Sequence, residues 1–304
     1  MTTQKEKSQF DTLYQKHLDA LTRQGKADKT IDAYTRAVRR LNEFVELPLD
    51  ALSIDDLKAF FTALIDTHSW STVRLDLNGL RFFYKHVLEK ELPWLDIVKP
   101  PKIQSMPDIL TPSEIANIIH HTYDLRLQSF WFITYSMGLR LSETLNITVA
   151  DIDRQRRTLH VRQSKGRKDR FVILPQLSLA VLQRLWCSHR HPRLLFPGKA
   201  GVNGNHALKT IHRGTTQKAF RRVCKQCQIN KHVSIHSLRH SYATHLIEAG
   251  LNLRSLQQQL GHSDPQTTAR YVRLTEKSQQ NSAELINQTI TTLASALRKL
   301  QVTS

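Results

Sequence analysis

Through the first hundred positions apolar residues recur at steps of three and four, the spacing that gathers them on one face of a helix. Ile31, Tyr34, Val38, Leu41 and Val45 mark one such helix. Ile54, Leu57, Phe61 and Leu64 mark a second, with Ser53 as its cap and Asp56 in its first turn. A third begins near Ser71 and carries Val73, Leu77, Leu80, Tyr84 and Val87. It also bears a polar stripe, Arg74, Asn78, Arg81 and Lys85, whose spacing keeps all four on one face. Such a stripe either lines DNA phosphates or is a solvated face.

The helical pattern breaks at Pro100, Pro101 and Pro107, which resist both helix and central strand. Residues 99–107 therefore read as an extended linker between a helical domain, 1–98, and a second domain, 108–304. The second opens on a helix start, with Thr111 capping and Pro112 in the first turn. Thr158 to Gln163 and Arg170 to Leu174 are rich in β-formers and flank Ser164-Lys165-Gly166-Arg167-Lys168-Asp169, which predicts a hairpin with a basic tip. Ile147 to Ile152 is expected to add a third strand. Helical periodicity then resumes, ending in a stripe of Ile286, Ile290, Leu293, Leu297 and Leu300. The expected fold is mainly α with a small antiparallel β-sheet, in two domains.

Charge sharpens this division. Of the 44 Lys and Arg and 26 Asp and Glu, 16 basic and 15 acidic residues lie up to Met106, so 28 basic and 11 acidic residues follow. Nearly all of the net charge of +18 falls in the second part, which predicts attraction to a polyanion such as nucleic acid. The polar N-terminus has no apolar signal stretch, and no run approaches a membrane span, so a cytoplasmic protein is expected. Three cysteines make no disulfide framework, and the Cys224–Cys227 pair has no partner ligands for zinc, so it reads as a helical turn.

Three islands in the second part carry candidate chemistry. They are Gly138-Leu139-Arg140-Leu141-Ser142-Glu143, then His236-Ser237-Leu238-Arg239-His240, then Leu260-Gly261-His262 with Asp264-Pro265 and Arg270-Tyr271. His236 and Arg239 are three apart, so on a helix they are neighbours, an imidazole beside a fork suited to phosphate oxygens. Gly261 can end a helix, which leaves His262 in a turn and Tyr271 about two turns into the next helix. Tyr242, close after Arg239, lies in a stretch that reads as packed.

Taken in order, Arg140, Lys165, His236, Arg239, His262 and Tyr271 resemble the signature of the tyrosine recombinase, or phage integrase, family. The segment from Ser234 to Tyr271 matches it almost end to end. The resemblance covers about Leu110 to Tyr271 and extends more loosely to the helical first part, which looks like the family's SAM-like core-binding domain. It implies a two-domain DNA clamp and a site-specific recombinase that breaks and rejoins DNA through a 3′-phosphotyrosyl bond to Tyr271 and a Holliday junction. Arg140 and Arg239 would hold the phosphate, Lys165 would protonate the leaving oxygen, His236 would act as base and His262 would hydrogen-bond the phosphate. Glu143 is expected to brace the site. Arg74, Asn78, Arg81, Lys85, Arg167 and Lys168 are the candidate DNA contacts. No metal or ATP is expected, since the chain has no GxxxxGK[ST] loop and no compact carboxylate cluster. The resemblance also implies a homotetramer on two DNA sites, built through the tail helix. Two alternatives remain: a topoisomerase-like nicking and resealing enzyme, and a non-catalytic DNA-binding protein.

Overall fold

The computed structural model describes residues 4–91, 93–101, 107–162, 169–199 and 204–261, with Thr268 and Tyr271. The chain forms two compact units, Met1–Gln104 and Ser105–Ser304. Among the described residues it is mostly helical with one three-stranded antiparallel sheet. No helix in that set is long and apolar enough to cross a membrane.

The first unit contains α1 (Gln4–Arg23), α2 (Asp28–Phe44), α3 (Ile54–Thr67), α4 (Trp70–His86) and the short α5 (Trp94–Ile97). The predicted apolar faces are its core: Val38 and Leu41 of α2, Leu57, Phe61 and Leu64 of α3, and Val73, Leu77, Leu80 and Tyr84 of α4 are all buried. Ser53 caps α3 by accepting a hydrogen bond from the Asp56 amide, and Asp56 accepts one back from the Ser53 amide. Helices α2 and α4 touch at Gly79, where an added Cβ would lie 3.0 Å from Ala37 Cβ and 3.1 Å from Tyr34 Cα. A side chain there would press the two helices apart by a few tenths of an ångström, so glycine suits that close approach. Beneath it Asp76 is buried and ion-paired with Arg40. Arg74, Asn78, Arg81 and Lys85 are exposed along α4, and Arg74 Nη2 donates to the Pro101 carbonyl at 2.8 Å.

In the second unit α6 (Pro112–His120) starts as predicted, with Thr111 and Glu114 forming a reciprocal cap. Helices α7 (Leu125–Ser136) and α8 (Leu141–Leu145) follow, then β1 (Ile152–Asp153), β2 (Thr158–Val161) and β3 (Arg170–Ile173) in the order β1-β2-β3. The hairpin arms pair Thr158 with Ile173 and Val161 with Arg170. The basic tip of the hairpin lies outside the described residues. The expected strand over Ile147 to Ile152 is a correction. Asp151 accepts hydrogen bonds from the Thr148 amide and hydroxyl, which winds Val149–Asp151 into a 3-10 turn; Thr148 meets Leu194 in an isolated bridge, and only Ile152–Asp153 joins the three-stranded sheet. Helices α9 (Gln176–His189), α10 (Arg213–Gln226), α11 (Ile235–Glu248) and α12 (Leu253–Leu260) complete the unit. Its core centres on Phe130, Trp131, Phe196 and Phe220, which meet edge to face. Cys224 is buried in the last turn of α10 and Cys227 is its half-buried C-cap.

One buried group gives the first unit a testable pH dependence. His17 of α1 is wholly buried, edge-on to Phe82 and Phe83 at ring separations of 5.7 and 5.4 Å. Burial pushes its pKa down from 6.5 to about 4. The unfolded chain therefore takes up this proton first as pH falls. The contribution to stability is intact above about pH 6.5 and is lost as pH drops towards 4. The loss amounts to at most about 3 kcal/mol. Urea midpoints measured between pH 7 and 4 should fall less steeply for His17→Leu than for the parent chain; identical slopes would exclude this account.

Candidate active site

Helix α11 presents the second island. Ser234 caps it by accepting from the His236 amide, and the hydroxyl of Ser237 accepts in turn from the Ser234 amide. Arg239, one turn in, is completely buried. Its Nη1 donates to the Gly138 carbonyl at 2.7 Å and its Nη2 to the Leu260 carbonyl at 2.6 Å. Gly138 sits at φ +58°, and a Cβ there would come within 2.4 Å of the Tyr242 ring. Glycine is thus required at the point where α7 turns towards α8. Tyr242 packs near Tyr135 in that half-buried layer, consistent with a structural residue.

Arg140 is the N-cap of α8 and is half-buried. Its amide donates to Glu143 Oε2 at 2.8 Å and its Nη1 to Glu143 Oε1 at 2.6 Å. A residue not singled out in the sequence, Arg170, closes on the same carboxylate from β3. Its Nη1 and Nη2 donate to Oε1 and Oε2 at 2.8 and 2.9 Å, a fork-to-fork geometry. Arg239 Nη1 lies 3.7 Å from Glu143 Oε2. Burial pushes the Glu143 carboxyl up, but the hydrogen bonds and charge of Arg170, then Arg140, outweigh it and hold it well below the usual carboxylate range. Glu143 is therefore ionised throughout the physiological range. Three guanidiniums gather on one carboxylate, so these four side chains together remain positive.

The same three guanidiniums grip the end of α12. Arg170 Nε donates to the Gln259 carbonyl at 3.0 Å, Arg239 to Leu260, and Arg140 Nη2 reaches the Gly261 carbonyl at 3.5 Å. Successive carbonyls at a helix C-terminus are its negative pole, so each contact satisfies an orphan acceptor and a buried cation at once. Gly261 ends the helix at φ +62°, as predicted, and a Cβ there would lie 2.6 Å from Arg170 Cδ. Burial first, and the neighbouring Arg140 charge second, pulls Arg239 down to about 9, and Tyr271 is among the groups acting on it electrostatically.

Tyr271 is 1% exposed and packs with Ala243, Leu256 and Leu260. Its amide donates to the Thr268 carbonyl at 3.0 Å. Its hydroxyl is hydrogen-bonded to His240 Nδ1 at 2.8 Å. His240 stands one helical turn after His236, and the two rings meet edge to face at 4.5 Å. His236 keeps its outer side exposed. Loss of water on its inner side, followed by the charges of Arg239 and Arg140, pushes its pKa down and leaves the ring neutral at physiological pH. The structure thus brings Arg140, Arg239, His236 and Tyr271 into one neighbourhood and adds Arg170 and His240. The four-residue step from His236 was a usable signal for His240. Arg170 offered only a basic residue at the foot of a hairpin arm. Lys165, Arg167, Lys168 and His262 lie outside the described residues. Among those described, no group of three or more His, Cys, Asp or Glu is arranged to hold a metal ion.

The chain is similar to known proteins along most of its length. Residues 108–278 match the model of the phage integrase family, and residues 13–94 match the phage integrase N-terminal SAM-like domain. A putative integrase/recombinase of Sinorhizobium fredii is 33% identical over 228 residues, covering 74% of this chain and 72% of that protein. A tyrosine recombinase of Thermosipho africanus is 29% identical over 265 residues, covering 83% of this chain and 90% of its own length. In three dimensions the chain shares the fold of lambda integrase, solved as a tetramer bound to a Holliday junction, with a TM-score of 0.70 at 16% identity. That match covers 86% of this chain and 76% of the other. The chain therefore belongs to the phage integrase family and is a tyrosine recombinase.

Proposed function

We propose that the protein is a site-specific DNA recombinase that exchanges strands through a 3′-phosphotyrosyl intermediate on Tyr271. The observation carrying this reading is a buried phenol, hydrogen-bonded to an imidazole and in electrostatic range of Arg239, which belongs to a preorganised cluster of guanidiniums. Attack on a phosphodiester gathers negative charge on the non-bridging oxygens, and fixed cations aimed at that charge lower the barrier by a few kcal/mol each. Arg140 and Arg239 are the pair for this task, and both are locked by carbonyl and carboxylate acceptors before substrate arrives. Glu143 and Arg170 set their positions. Lys165 on the hairpin tip would protonate the leaving 5′ oxygen, and His262 would hydrogen-bond the phosphate. The covalent diester keeps the energy of the broken bond, so an incoming 5′ hydroxyl can reverse the attack without ATP.

The surplus of basic residues after Met106 suits long contact with phosphates. The exposed stripe of Arg74, Asn78, Arg81 and Lys85, together with Arg167 and Lys168, is the proposed DNA-binding set. Two duplexes would be joined by a homotetramer, with the tail stripe from Ile286 to Leu300 docking into a neighbouring protomer. That stripe lies outside the described residues.

Four experiments test this reading. Footprinting of DNA flanking the protein's own gene should reveal a protected site. A nicked suicide duplex carrying that site should form an SDS-resistant adduct, absent in Tyr271→Phe although binding persists. Retention of the adduct in that variant would exclude Tyr271. Glu143→Gln removes the one negative charge shared by the guanidiniums and should cost about 3 kcal/mol of stability, with adduct formation falling at least tenfold at saturating DNA. A variant with parental melting and cleavage would show that the carboxylate is dispensable. Deleting residues after Glu284 should spare binding to a single site but impair synapsis; full recombination by the shortened chain would rule out the tail's role.

A further inference from the structure

The residue that touches the nucleophile is not the one that the resemblance assigns as base. Tyr271 Oη and His240 Nδ1 are 2.8 Å apart, within the range of a direct proton transfer. The His240 ring lies between two partners, His236 edge-on at 4.5 Å and the Tyr271 ring at 5.6 Å. Helix geometry makes this reproducible: His240 follows Arg239 directly, so the helix that buries the phosphate-holding guanidinium also fixes the imidazole. His236 is a poor proton acceptor in this setting, because inner-side desolvation and then Arg239 and Arg140 disfavour its charged form.

We propose that His240 is a catalytic residue of the strand-cleavage step and takes the phenolic proton from Tyr271. The inference rests on the recombinase reading above and deepens it. A neutral imidazole has one donor and one acceptor nitrogen. In the tautomer with hydrogen on Nε2, Nδ1 accepts the Tyr271 O–H. As Oη bonds to phosphorus, its proton passes to Nδ1, and the bond from phosphorus to the 5′ oxygen breaks with its electron pair on that oxygen. The 5′ oxygen takes a proton from the general acid, the place held by Lys165 in the reading above. Rejoining reverses each transfer: the incoming 5′ hydroxyl yields its proton to that acid, and the His240 imidazolium returns its own to the departing phenolate. The proton is thus stored beside the oxygen that will need it.

The test uses the full chain and the suicide duplex bearing the footprinted site. His240→Gln can keep a hydrogen bond to the phenol but cannot serve as a base, whereas His240→Ala leaves a space that free imidazole can enter. Both should bind DNA like the parent yet form adduct about a hundredfold more slowly. Added imidazole should speed the Ala variant. A fluorinated tyrosine at position 271, which ionises more readily, should narrow the deficit of the Gln variant. Parental rates in His240→Gln would overturn the proposal. So would slow rates that neither imidazole nor the fluorinated phenol improves, since these would mark a purely packing role. A parent chain that forms no adduct at all would overturn both this assignment and the recombinase reading.

Discussion

Glu143 is the point on which the second unit turns. Guanidiniums brought together in a low-dielectric interior repel strongly, and a buried charge left without a partner costs several kcal/mol. The carboxylate of Glu143 offsets both costs at once, because its two oxygens accept from Arg140 and Arg170 while Arg239 stands 3.7 Å away. Those arginines come from α8, β3 and α11, elements that share no local sequence. One side chain therefore ties together parts of the chain that only tertiary folding can assemble.

The second anchor is the end of α12. Each of its last carbonyls, from Gln259 to Gly261, meets a different guanidinium. The helix pole supplies negative potential without a second carboxylate, which would compete with phosphate for the same cations. This choice of partner matters. A carbonyl dipole holds a guanidinium in place while leaving its charge unneutralised, so the cluster can still attract an anion. The close contact of Gly261 with Arg170 leaves no room for a side chain where α12 ends.

Much of this was legible in the sequence, and the rest was hidden for identifiable reasons. Periodicity located α2, α3 and α4, and short-range chemistry at Ser53, Thr111 and Gly261 fixed their neighbours' ends, because caps depend on residues a few positions apart. The third strand expected over Ile147 to Ile152 is cut back to Ile152–Asp153 because a local side-chain bond, Thr148 to Asp151, turns the chain at Val149–Asp151, and β-propensity does not register it. Arg140, Arg239 and Tyr271 stood out through a resemblance in order and spacing. Arg170 did not, since its importance arises from contacts with Glu143 and Gln259 that sequence distance conceals. His240 stood in plain view, but its role needs the position of a phenol thirty-one residues away.

On the proposed reading, the arrangement lets a buried tyrosine serve as nucleophile. Tyr271 packs against Ala243, Leu256 and Leu260, out of reach of bulk water. Partnering its hydroxyl with an imidazole removes the need for a free phenolate in the resting protein, because the proton can leave as the new bond forms. Cations already set in place lower the charge cost of that same step without waiting for solvent to reorganise. In that reading the hydrogen bond and the preorganised charge act together when a phosphate arrives among the arginines: the phenol's proton has an acceptor and the developing charge has its partners.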